Sequence, residues 1–159
     1  MSRALKAARR TAAAVLALGS VLFLSPSPAQ AAGYQELKNV ESRKCLAIAH
    51  SDPGLAVSPI QWTCNNDDEQ RWELRHVKDE WYQLVNKATQ RCLTGVNDGI
   101  KPFQLYCSET DSHLWLKDSI GRLRNNRYDY CLAVPHSSHT NGVEPVMWTC
   151  TLDYDQRWT

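Results

Sequence analysis

The chain has 159 residues, 43% hydrophobic and 22% charged, with six cysteines and six tryptophans. That length suits one domain of ordinary size. A formal net charge of +1 excludes the strongly basic surface on which nucleic-acid binding depends.

The first 31 residues read as a secretory signal peptide. Arg3, Lys6, Arg9 and Arg10 form a basic head, "TAAAVLALGSVLFL" an apolar run, and Ala29-Gln30-Ala31 a small-x-small cleavage site behind Pro26 and Pro28. The run is too short to favour a retained membrane anchor, so cleavage is expected near Ala31 and no membrane partner is expected. Residues 32–159 then form one domain. They hold 14 basic and 17 acidic residues, a net charge of −3, and export places all six cysteines in an oxidising compartment.

The rest of the chain is three repeats, at about 34–77, 80–118 and 120–159. Trp72, Trp115 and Trp158 stand 43 residues apart, as do Cys64, Cys107 and Cys150. Upstream, Leu37-x-Asn39, Leu84-x-Asn86 and Leu123-x-Asn125 keep one spacing to Cys45, Cys92 and Cys131, each followed by Leu. Within this frame "PIQWTC" reads as a short strand after proline. "QRWELRH" alternates Trp72 and Leu74 with charged residues, "WYQLV" is aromatic and β-branched, and "PVMWTC" repeats the first pattern. The segments between are rich in Ser, Asp, Asn, Gly and Pro and read as turns. About four short strands per repeat give an all-β fold with pseudo-threefold symmetry. Six cysteines allow 15 pairings. The simplest under a threefold repeat is internal: Cys45–Cys64, Cys92–Cys107 and Cys131–Cys150. Each would contribute roughly 3 kcal/mol by loop closure.

Three units of Cys-Leu, Cys and Gln-x-Trp resemble the ricin-B-type lectins and related carbohydrate-binding modules, over about Tyr34 to Thr159. The resemblance implies a β-trefoil. Gln70-Arg71-Trp72 and Gln156-Arg157-Trp158 match its motif, and the middle unit keeps only Trp115. It also implies that Trp72, Trp115 and Trp158 are core, as expected for large aromatics in a small domain. Asn39, Asn86 and Asn125 read as turn residues that bond backbone.

The family's sugar platform is an aromatic two residues before the second cysteine. Trp62 and Trp148 occupy that place, and Leu105 stands there in the middle repeat. An indole face suits the C–H face of a pyranose. The family's acceptor Asp, two residues after the first cysteine, is replaced by Ala47, Thr94 and Ala133. Its pocket Gln is replaced by Ile60, Phe103 and Val146, and the Asn before the motif Gln by Glu69, Ser112 and Asp155. The first and third repeats changed in parallel, so the carboxylate is expected to have moved to Glu69 and Asp155, where it can still accept two hydroxyls. Gln70, Gln156 and Asn65 are further candidate polar contacts, and His50 and His136 candidate donors. A metal site at His136–His139 is not expected, for want of a third ligand.

The expected protein is a secreted, monomeric, non-catalytic glycan-binding module, with no cofactor and no metal, and with sites in the first and third repeats. The alternative is a degenerate trefoil that binds a protein partner instead. Catalysis is disfavoured because the repeats account for the chain and no acid/base frame is recognisable.

Overall fold

The computed structural model describes residues 33–159; the expected signal peptide and its cleavage site lie outside the described residues. The described residues hold eleven short strands and no α-helix. The first repeat contains β1 (Gln35–Glu36), β2 (Cys45–Ala47), β3 (Ile60–Trp62) and β4 (Arg71–Lys78). The second contains β5 (Trp81–Asn86), β6 (Cys92–Thr94), β7 (Phe103–Leu105) and β8 (Trp115–Lys117). The third contains β9 (Leu123–Asn125), β10 (Cys131–Ala133) and β11 (Val146–Trp148). Its fourth strand is reduced to two isolated bridges, Arg122↔Arg157 and Asn39↔Trp158.

One antiparallel hairpin recurs in one register. Cys45 faces Trp62, Cys92 faces Leu105 and Cys131 faces Trp148. That pairing brings each first cysteine close to the second, two residues past the Trp or Leu. The three intra-repeat disulfides are present, with Cα–Cα separations of 5.1, 4.9 and 5.1 Å, and no cysteine is free.

The core carries the threefold pattern in its chemistry. Trp72, Trp115 and Trp158 are fully buried, packed with Leu37, Leu84, Leu123 and the Leu of each Cys-Leu pair. A buried indole N–H needs an acceptor. The three donate to the Leu46, Leu93 and Leu132 carbonyls at 2.9, 2.9 and 3.0 Å.

Asn39, Asn86 and Asn125 are also fully buried. Each accepts from backbone in its own turn and donates to a carbonyl of another repeat: Asp155, Glu69 and Ser112, at 2.8, 2.8 and 2.9 Å. They stitch the repeats together, as backbone-bonding residues should.

A second set of cross-repeat bonds positions the surface loops. The loop of the first repeat lies on β7, where Gln104 N–H donates to Val57 and Ala56 N–H to Gln104. The second repeat's loop lies on β11 through Met147 and Gly99, and the third repeat's loop on β3 through Gln61 and Gly142. Ala56, Gly99 and Gly142 occupy equivalent places, all with positive φ. Gln61 and Gln104 reinforce the contact with their buried amides. Gln61 donates to the Ser138 and Thr140 carbonyls at 2.7 and 2.9 Å, and Gln104 to those of Asp52 and Gly54 at 2.7 Å.

Candidate functional site

Strand alternation sends every second side chain to one face. On β3 this places Ile60 and Trp62 side by side, and on β11 Val146 and Trp148. Both tryptophans stay half exposed, at 42% and 50%, in contrast to the three core indoles. Each borders a cavity. The first repeat's cavity, about 200 Å³, is lined by Ala49, His50, Ile60, Trp62 and Glu69. The third repeat's, about 370 Å³, has Ala133 and Val146 below Trp148, with His136, Asp153 and Asp155 around it.

The structure therefore brings Trp62, Glu69 and His50 together, and likewise Trp148, Asp155 and His136. The carboxylates arrive on short 3₁₀ turns, Asp68–Gln70 and Tyr154–Gln156, that precede the motif Trp. The histidines arrive on tight turns after β2 and β10. There His50-Ser51 and His136-Ser137 form consecutive left-handed pairs, with φ of 57° and 52°, and 56° and 49°. Left-handed non-glycine residues cost on the order of 1–2 kcal/mol each. Glu69 and Asp155 help hold these turns. Ser51 N–H donates to Glu69 Oε2 at 3.1 Å, and Ser137 Oγ–H to Asp155 Oδ2 at 3.3 Å. Such strain marks candidate functional loops, and the middle repeat has no left-handed pair at Asn97-Asp98.

Asp155 is electrostatically distinct. Burial holds its carboxyl above the usual carboxylate range, and the nearby charges of Asp153 and Glu41 push the same way. The Ser137 hydroxyl opposes them only in part.

Three further sequence candidates have their side chains engaged inside the protein. Gln70 and Gln156 are buried, and both ends of each amide are bonded inside the loop of the second cysteine. Gln70 donates to Thr63 O and accepts from Asn65 N–H, both at 2.9 Å; Gln156 does the same to Thr149 and Thr151 at 2.9 Å. They clamp the residues on either side of Cys64 and Cys150, and Gln156 also lines the third cavity. Asn65 is exposed, does not line the cavity, and its side chain closes a turn with Asp67.

The middle repeat differs at the clamp position. His113 replaces the clamp Gln, buried and bonded to Thr94, Ser108 and Thr110 hydroxyls at 3.1, 3.0 and 2.9 Å. Burial lowers its pKa. Tyr106, beside Leu105, carries the Arg91 guanidinium 4.2 Å over its ring.

Sequence reasoning missed Asp153 and the neighbouring-repeat loops. Gly99, from the second repeat, lines the third cavity, and a Cβ built there would lie 4.0 Å from Trp148. Gly142, from the third, stands equally close to Trp62, at 3.9 Å. Asp153 had a usable signal: it sits three residues after Cys150, as Asp67 does after Cys64. The glycines had none, because cross-repeat packing sets their place.

The family described as ricin-type beta-trefoil lectin domain matches residues 33–158. No curated protein matches the chain. Among solved structures, the designed threefold-symmetric protein ThreeFoil is similar at TM-score 0.75 and 22% identity, covering 79% of this chain and 95% of that one. The exo-β-1,3-galactanase of Clostridium thermocellum is similar at TM-score 0.72 and 21% identity; the match covers 79% of this chain and 29% of the enzyme. The earthworm R-type lectin C-half, solved in complex with GalNAc, is similar at TM-score 0.66 and 14% identity, covering 79% of this chain and 95% of that one. At these identities the likeness shows the β-trefoil fold.

Proposed function

The chain belongs to the ricin-type β-trefoil lectin domain family, and from that premise we propose a secreted, non-catalytic carbohydrate-binding module with sugar sites in the first and third repeats. One observation carries this reading: in those two repeats a half-exposed indole and a carboxylate border one cavity. A pyranose stacks its C–H face on Trp62 or Trp148. Glu69 or Asp155 accepts from its hydroxyls in place of the family's Asp, and His50 or His136 offers a further polar contact. The middle repeat has Leu105 for the platform and His113–Thr94 where a ligand's polar contacts would be.

Three disulfides suit an exported protein. Among the described residues no helix is long and apolar enough to cross a membrane. A single copy carries both pockets, so we read the unit as a monomer.

A glycan array probed with the oxidised protein tests the proposal. Binding by the wild type, lost in the Trp62→Ala/Trp148→Ala double variant, is expected. A folded protein that recognises no glycan would point instead to a protein partner, the reading favoured by Ala47, Thr94 and Ala133 at the family's Asp position.

A further inference from the structure

The third cavity differs from the first in size and in charge. Two carboxylates line it, Asp153 and Asp155, against Glu69 alone in the first. Neither is neutralised. Among the described residues no lysine or arginine lines the cavity, and the only basic side chain there is His136. The nearby guanidiniums are engaged elsewhere. Arg157 stacks on Tyr154 at 4.5 Å and donates to the Leu152 carbonyl. Arg122 pairs with Asp118 at 2.7 Å and donates to the Thr151 carbonyl at 2.9 Å. Glu41 adds a third negative charge to this face, and its partner is His139 at 3.6 Å. Asp153 accepts a bond from the Thr151 hydroxyl at 2.7 Å and Asp155 one from Ser137 at 3.3 Å. The side chains that donate to this pair are these two neutral hydroxyls.

We propose that the third-repeat pocket selects a cationic sugar, an oligosaccharide of unacetylated 2-amino-2-deoxyhexose, whose ammonium group Asp153 and Asp155 receive while its ring stacks on Trp148. The proposal rests on the reading of this cavity as a sugar site. Its added content is the charge of the ligand. A half-exposed indole attracts cations through its negative face, and an ammonium brings three donors to carboxylates that have one hydroxyl donor each. A neutral sugar binding there leaves both negative charges of the cavity uncompensated, whereas an ammonium offsets them. Burial, and behind it the charges of Asp153 and Glu41, raise the pKa of Asp155. The first pocket, with one carboxylate already accepting the Ser51 N–H, lacks the second charge and serves as a control inside the same molecule.

The test is calorimetry of the full disulfide-bonded protein with a fully deacetylated glucosamine oligomer and with its N-acetylated counterpart, at low and high salt. The Trp62→Ala variant isolates the third pocket. In it, the deacetylated oligomer should bind roughly tenfold tighter, as a charge-assisted hydrogen bond implies, and the preference should shrink with salt. Asp153→Asn keeps the shape and an acceptor for Thr151, and should abolish the preference while leaving the fold intact. Equal binding of the two oligomers, or a preference that survives Asp153→Asn, would overturn the proposal. So would binding of neutral glycans alone, though the sugar-pocket reading would then stand. If no glycan of any kind binds at Trp148, both fall together.

Discussion

At the scale of single residues, the side chain before the core Trp-bearing strand differs between repeats. In the outer repeats Gln70 and Gln156 clamp the second-cysteine loop. In the middle repeat His113 holds that loop and also reaches Thr94. Its burial lowers the imidazole pKa, so the unfolded chain takes up a proton before the folded one does. Stability from this site is therefore full above the unfolded value of about 6.5. It is lost progressively as pH falls through the folded value. Urea denaturation at a series of pH values should show wild-type stability declining below that point, and a flatter profile for His113→Gln. An identical acid slope in the two proteins would show that His113 does not titrate with folding.

At the scale of elements, the segment from Pro135 to Val143 joins the two candidate pockets. Its first turn places His136 at the third cavity, and its end places Asn141 and Gly142 against Thr63 and Trp62 of the first. Gln61 pins the middle through two carbonyls and accepts the Ser42 hydroxyl at 2.7 Å. The third repeat has Met147 at the equivalent place, and its partner loop is held by backbone bonds. Gln61→Met should therefore fold but leave buried polar groups unpaired, at a cost on the order of 1–3 kcal/mol. A lower urea midpoint at unchanged slope is expected, with faster amide exchange at Gly142. An unchanged midpoint would mean that the backbone bonds alone hold the segment.

These elements also mark what the sequence could disclose. Spacing carried the three repeats and the intra-repeat disulfide pairing, because each is set by residues recurring at a fixed interval, and the resemblance and the size of the indoles carried the buried tryptophans. The Trp and carboxylate candidates could be named from the resemblance, and the structure places them at common cavities. The direction of a buried amide is not periodic information, so the clamp role of Gln70 and Gln156 was not legible in the sequence. Gly99 and Gly142 were hidden because they reach a pocket from a different repeat, through bonds that only the closed trefoil creates.

At the scale of the whole molecule, threefold symmetry is kept in the core and broken at the surface. The indole, asparagine and disulfide sets are near-identical in all three repeats, whereas Trp62 and Trp148 border cavities and Leu105 stands at their place in the middle repeat. On the proposed reading, two weak single-ring sites on one rigid body gain useful strength when both engage one polymer. Calorimetry with an oligosaccharide identified on the array tests it most directly. Two sites per chain are expected in the wild type, one in Trp62→Ala, one in Trp148→Ala, and none in the folded double variant. A double variant that binds as the wild type does, or a wild type with a third site at Leu105, would contradict the account.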